Sequence, residues 1–186
     1  MRFKVNERVV YPSHGVAMID DVIEKHVGGA PMHFYKLSFM FKDMTVLIPV
    51  NNTGQTGVRQ LNLPHAIDEA LTNYSASVMQ QRFEDLEVNP TVWSKRQKDY
   101  QTRLQAGDFV GVLGIYQELM YIAQHKELSF GEKTLLQTTE ELLAQEIMVI
   151  KNLDRSAALE LVRVPFKQFI VNYASSGQHG STNSLL

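Results

Sequence analysis

Over roughly the first sixty residues, apolar positions come in short runs separated by turn residues. Val5, Val9, Val10 and Tyr11 lead to Pro12 and Gly15. Val16, Met18, Ile19, Val22 and Ile23 follow, and Gly28-Gly29 separates them from a further run. In that run Tyr35, Leu37, Phe39 and Phe41 alternate with Phe34, Lys36, Ser38 and Met40. A strand with one buried face has this period of two, and the paired glycines are a hairpin signal. After a short turn at Lys42-Asp43, residues 44–50 form another strand-like run, and Gly57-Val58-Arg59 a short last one. Pro49 assigns its strand to an edge or a bulge, because proline cannot donate to a ladder. Four or five short strands joined by tight turns predict a small twisted barrel.

From Pro64 the period changes. Pro64 suits the first position of a helix, and Ala66, Ile67, Ala70 and Leu71 follow at helical spacing. A polar stretch at 73–77 precedes a short apolar face of Val78, Met79, Phe83 and Leu86, and Asn89-Pro90 breaks the chain. Residues 91–105 then read as a helix with Trp93, Gln97, Tyr100 and Leu104 on one stripe. Ala106-Gly107-Asp108 ends it and caps the next helix. Ser129-Phe130-Gly131-Glu132 is a capping box, serine at the cap and glutamate three residues on. Asp154 caps a last short helix that Pro165 is expected to end or kink. The end of the chain is rich in Gly and Ser and is expected to be disordered. The predicted class is α+β in two domains: a β domain at 1–62, an all-α domain at 63–165 and a tail at 166–186. An all-β unit followed by an all-α unit implies two separate cores.

Composition narrows the functional classes. The chain has 186 residues, 44% apolar and 20% charged, with a net charge of −2, so overall charge does not drive nucleic-acid binding. The absence of cysteine excludes disulfides, thiolate nucleophiles and thiolate metal sites. No signal peptide and no membrane-spanning run are found, so the expected location is the cytoplasm, with no membrane partner. The histidines (14, 26, 33, 65, 125 and 179) form no i, i+4 pair and no H-E-x-x-H, which leaves no metal site to predict. Ser13 and His14 would point to opposite faces of a strand, and no G-x-S-x-G elbow occurs. No phosphate-binding glycine loop occurs either. The carboxylate pairs Glu84-Asp85 and Glu140-Glu141 occupy neighbouring helical positions that face apart. The expectation is a protein that is not an enzyme and carries no cofactor.

Binding remains. Residues 95–107 hold Lys95, Arg96, Lys98 and Arg103 against Asp99 alone, with the single tryptophan, Trp93, at the start of the run. A basic helix headed by a large aromatic is a candidate nucleic-acid contact. The alternative is a core tryptophan beside a solvated basic face, in a protein–protein adaptor without direct DNA contact. A patch this small implies weak, salt-sensitive DNA binding that needs a partner for delivery.

The run Phe3-Lys4-Val5, Val9-Val10-Tyr11-Pro12-Ser13-His14-Gly15, then residues 44–50 (MTVLIPV) with Gly57-Val58-Arg59, resembles the RNA polymerase-interacting domain of the CarD/CdnL family. Residues 90–96 (PTVWSKR), 104–108 (LQAGD) and 128–133 (LSFGEK) extend the resemblance over roughly residues 1–150. The transcription-repair coupling factor shares the N-terminal module, but this chain is too short for a motor, so the expectation is a stand-alone regulator. The resemblance implies a Tudor-like β module that docks on the RNA polymerase β subunit and a helical domain that contacts promoter DNA. The contact is expected in the minor groove near the −10 element, at the upstream fork of the bubble, where it stabilises the open complex. The family tryptophan corresponds to Trp93 and its adjacent basic pair to Lys95 and Arg96, with Lys98 and Lys133 at further basic positions. Arg103 completes the candidate DNA-contacting set. Some relatives carry arginines in the polymerase-binding module where this chain has Lys25 and Leu47. The loss of charge at 47 points to a more apolar docking edge at Leu47, Ile48 and Pro49. A monomer is the default state, since no long heptad seam is present.

Overall fold

The computed structural model describes residues 3–72 and 93–175. Five strands, β1 (Arg8–Tyr11), β2 (Gly15–Val27), β3 (Ala30–Phe39), β4 (Thr45–Pro49) and β5 (Arg59–Gln60), form one antiparallel sheet in the order β4-β3-β2-β1-β5. The β2–β3 hairpin turns on Gly28 and Gly29, both at positive φ (61° and 85°). A two-residue hairpin needs that conformation to match the twist of its strands, and only residues without Cβ adopt it freely. β4, which carries Pro49, lies at one edge of the sheet, where a missing backbone donor costs least.

Alternation along the strands decides what is buried. Val9, Ala17, Ile19, Tyr35, Leu37, Phe39 and Ile48 form the core of the β module. Tyr35 closes it from the far end. Its hydroxyl accepts from the Phe3 backbone N–H (3.0 Å) and donates to the Phe3 carbonyl (3.2 Å), which ties down the N-terminal segment. A register shift between Ile19 and Asp21 bends the long β2 strand partway along its pairing with β3.

The helices are α1 (Pro64–Thr72), α2 (Trp93–Ala106), α3 (Phe109–His125), α4 (Phe130–Lys151) and α5 (Arg155–Ser175). The expected apolar face of Val78, Met79, Phe83 and Leu86 and the break at Asn89-Pro90 lie outside the described residues. Asp108 caps α3 by accepting the Gly111 N–H (2.9 Å), and Asp154 accepts the Ala157 N–H (2.8 Å) at the start of α5. The capping box at Ser129 and Glu132 opens α4. α3 is apolar on most of its circumference and forms the centre of a second core with Leu143, Ala144 and Ile147 of α4 and Ala158 and Val162 of α5. Pro165 does not end the last helix, which continues to Ser175. Proline removes one backbone donor, whereas Val162 and Phe166 on either side of it are 1% and 2% exposed, so burial of the apolar face holds the helix together. The expected tail at 166–186 is therefore helical over its first ten residues.

A seam of close contacts joins the two cores. The Pro12 ring fills the space between Gly57 and Gly107, where a Cβ at either glycine would come within 2.9 Å of Pro12 Cγ. The Gln145 side chain of α4 lies against Gly15 of β2 in the same way. Arg59 of β5 donates two hydrogen bonds to the Glu146 carboxylate of α4 (2.8 Å each) and one from Nε to the Gly107 carbonyl (2.7 Å). The Asn62 backbone and side chain both donate to the same carboxylate (3.0 Å). With Glu146 only 3% exposed, this is a hydrogen-bonded, bidentate ion pair between modules.

Candidate functional site

Two regions hold the residues singled out from the sequence. The first is the outer face of the β-sheet. Cross-strand partners point to the same side, and the register places Leu47 opposite Lys36, Pro49 opposite Phe34 and Lys25 opposite Met32. Lys25, Leu47 and Pro49 therefore share one face, away from the core. Ile48 pairs with Tyr35 on the other face and is 2% exposed. Of the expected docking edge, Ile48 is therefore the residue whose side chain turns inward, as a residue between two outward-facing neighbours on a regular strand does. Ile48 can offer a partner only its backbone on the edge strand. The same outer face carries Ile23, Met32 and Phe34, which sequence reasoning did not select. The available signal was the run from 33 to 41, which is apolar at several positions of both parities.

The second region is a corner where the N-terminal ends of α2 and α4 meet. Trp93 opens α2 and is half-buried, its ring edge-on to Tyr100 at 6.3 Å. Gly131 lies beneath the indole, where a Cβ would come 3.5 Å from Trp93 Cζ2. Lys95 and Lys98 are exposed, without an ion pair among the described residues. Lys133, exposed on α4, pairs with Glu127 (2.8 Å).

The two arginines behave differently. Arg96 turns inward, with its side chain 9% exposed and its guanidinium 3.6 Å from Glu132. It takes the buried place on the stripe expected for Gln97, which is exposed. Arg103 makes a bidentate pair with Glu118 (3.1 and 3.0 Å), contacts Asp99 (2.6 Å) and lies over the Tyr100 ring, 5.0 Å from its centroid. In the free protein both guanidinium groups face acids, Arg96 towards Glu132 and Arg103 towards Glu118 and Asp99. The physical reason is that the decisive acids stand on α3 and α4, outside the window in which only Asp99 opposed the cations.

Glu132 is the hub of the corner. One oxygen of its buried carboxylate accepts from Lys126 Nζ (2.7 Å), the Ser129 N–H and the Ser129 hydroxyl (2.9 Å each); the other faces Arg96. Burial pushes this carboxyl up, but the bonds from Lys126 and Ser129 outweigh it and hold it below the ordinary glutamate value. At Tyr100, burial and the Glu118 carboxylate both push the phenol well above its usual range, so it stays neutral. At Arg103, burial lowers basicity, but Glu118 and Asp99 more than restore it. The sequence motif at 129–132 signalled the cap; the ion network it anchors depends on residues from other elements.

Among the described residues no group of three or more His, Asp or Glu converges as a metal site, and no helix is long and apolar enough to cross a membrane.

Two family models match the chain: the CarD-like/TRCF RID domain over residues 3–61 and the CarD C-terminal domain over residues 76–163. The putative transcription factor YdeB of Bacillus subtilis (strain 168) is 24% identical over 151 residues, covering 81% of this chain and 94% of that protein. The solution NMR structure of the 72-residue N-terminal domain of Myxococcus xanthus CarD is 29% identical, with a TM-score of 0.28 over 32% of this chain and 79% of that one. The first family match ends just after β5, and the second takes in α2, α3, α4 and the start of α5. With both matches in the family's order, one for each core, the chain belongs to the CarD-like family of transcription factors.

Proposed function

We propose that the protein regulates bacterial transcription by binding the RNA polymerase β subunit through the outer face of its β module and stabilising the promoter open complex with the α2–α4 corner. The observation that carries this reading is the placement of Trp93. Its ring is neither free nor fully enclosed, it packs edge-on to Tyr100 over Gly131, and the same helix carries Lys95 and Lys98 exposed, without an ion pair among the described residues.

The chemistry required is modest. Melted DNA loses stacking at the fork, and an aromatic ring placed there replaces it, worth about 1–3 kcal/mol per base. Binding to polymerase raises the effective concentration of this weak contact, so a few lysines suffice. Polymerase sets the position, and no base-edge readout is needed. On the β module, Leu47 and Pro49 supply apolar contact beside the exposed Lys25, and the edge backbone of β4 is open to strand addition.

The test separates the two surfaces. Leu47→Glu is expected to weaken binding to RNA polymerase measured without DNA. Trp93→Ala is expected to leave that binding intact and to shorten open-complex lifetime. Absence of specific polymerase binding by the unmodified protein at moderate salt would overturn the reading.

A further inference from the structure

Phe130 is the most exposed large apolar side chain among the described residues, 87% open to solvent. The fold does not use its ring. Ser129 provides the cap of α4 and Glu132 closes the box, while the apolar residues of α4 that pack on the core begin at Leu135. An uncovered phenylalanine forgoes the burial of about 150–250 Å² that its ring contributes elsewhere.

Its surroundings are specific. The next residue, Gly131, is the one that underlies the Trp93 indole. Consecutive Cα atoms lie about 3.8 Å apart, so the Phe130 backbone stands next to the residue that underlies the Trp93 ring. At this corner Glu132 accepts from Lys126 and Ser129 and faces Arg96 of α2 at 3.6 Å. Lys133, three residues from Phe130 and hence on its side of the helix, is exposed and paired with the exposed Glu127, and Lys95 and Lys98 on α2 are exposed without an ion pair among the described residues. A bare ring among cations complements a polyanion that offers flat apolar faces, namely unpaired nucleobases on a phosphate backbone. An apolar protein surface would leave Lys95 and Lys98 unmatched.

We propose that Phe130 is a second aromatic contact with DNA, packing against an exposed base at the fork where Trp93 acts, so that the corner presents two rings. The inference rests on the functional reading above and adds a residue to its DNA-binding surface.

The experiment compares Phe130→Ala, Phe130→Tyr and Trp93→Ala in the full chain with RNA polymerase and a promoter fragment, following open-complex lifetime after competitor challenge. Phe130→Ala is expected to shorten the lifetime at least about fivefold, the equivalent of one stacking contact, and Phe130→Tyr to restore it. Thermal stability and DNA-free polymerase binding are expected to be unchanged in both. If Trp93→Ala shortens the lifetime and Phe130→Ala does not, the second contact is refuted while the functional reading stands. If neither does, the functional reading falls and the second contact with it. If Phe130→Ala weakens polymerase binding without DNA, the ring meets protein, and the proposal is overturned.

Discussion

On the outer face of the β-sheet, neighbouring residues differ in availability because side chains alternate. At the α2–α4 corner they differ because some cations find buried acids and others do not. Leu47 and Pro49 face outward and Ile48 between them faces inward, an outcome only a one-residue register slip could reverse. At the corner, Arg96 and Arg103 are drawn to Glu132 and Glu118, and Lys95 and Lys98 are left on the surface. Strand parity can be read from a few adjacent residues. The charge that a helix presents is what remains after pairing, and pairing depends on elements far away in the chain.

The largest expected effect comes from cutting the seam that holds the two surfaces together. Arg59→Ala leaves the Glu146 carboxylate buried with only the Asn62 donors, and is expected to cost about 3–5 kcal/mol. The measurement is the denaturant midpoint at constant m. A cost under about 1 kcal/mol would mean that the ion pair does not fix the modules and that the packing of Pro12 and Gln145 at the seam does.

Next comes a contrast within β4. Ile48→Ala is expected to cost about 2–5 kcal/mol, because it empties a core position, and to leave the polymerase affinity of the folded protein unchanged. Leu47→Glu is expected to do the reverse, changing stability by no more than about 1 kcal/mol and weakening polymerase binding about tenfold or more. Equal effects of the two substitutions on binding would show that parity does not determine what the partner sees.

Glu132→Gln tests the hub. The carboxyl titrates lower in the folded protein than in the unfolded chain, so its contribution is complete above the ordinary glutamate range and disappears as pH falls through the lower folded-state value. Replacing it keeps an acceptor near Ser129 but removes the charge facing Lys126 and Arg96. The expected loss is about 1–3 kcal/mol at neutral pH, with a flatter decline of melting temperature in acid. Trp93 fluorescence reports on the same corner. Parallel acid limbs in the two proteins would remove Glu132 from the bracing role.

The local features of the fold were legible in the sequence. Period-two alternation, the paired glycines, Pro49 at an edge and the cap at Ser129 each depend on neighbours within a few residues. The long-range pairs were not. Arg59 meets Glu146 across 87 residues and Arg103 meets Glu118 across 15, and nothing within either window identifies the partner. Pro165 misled for a related reason: the burial of Phe166 that carries α5 through it is a tertiary effect. Phe130 belonged to a recognised capping motif, whose form says nothing about exposure of the residue after the cap. At the candidate site, Trp93 and the two free lysines could be chosen from spacing and resemblance, but which charges were already paired could not.

The smallest effect tests the same point. Lys98 is exposed and carries no ion pair among the described residues, so Lys98→Ala is expected to leave stability within about 0.5 kcal/mol. If its ammonium displaces one counterion from DNA, the substitution reduces the slope of log K against log salt by about 0.9 in the polymerase-bound complex. Arg103→Ala is expected to show the opposite pattern: lower stability, because Glu118 loses its bidentate partner, and an unchanged salt slope. If Arg103→Ala instead lowers the slope as Lys98→Ala does while the fold stays intact, the guanidinium must leave Glu118 to reach phosphate. The static pairing in the free protein would then not be a guide to the charge that DNA encounters.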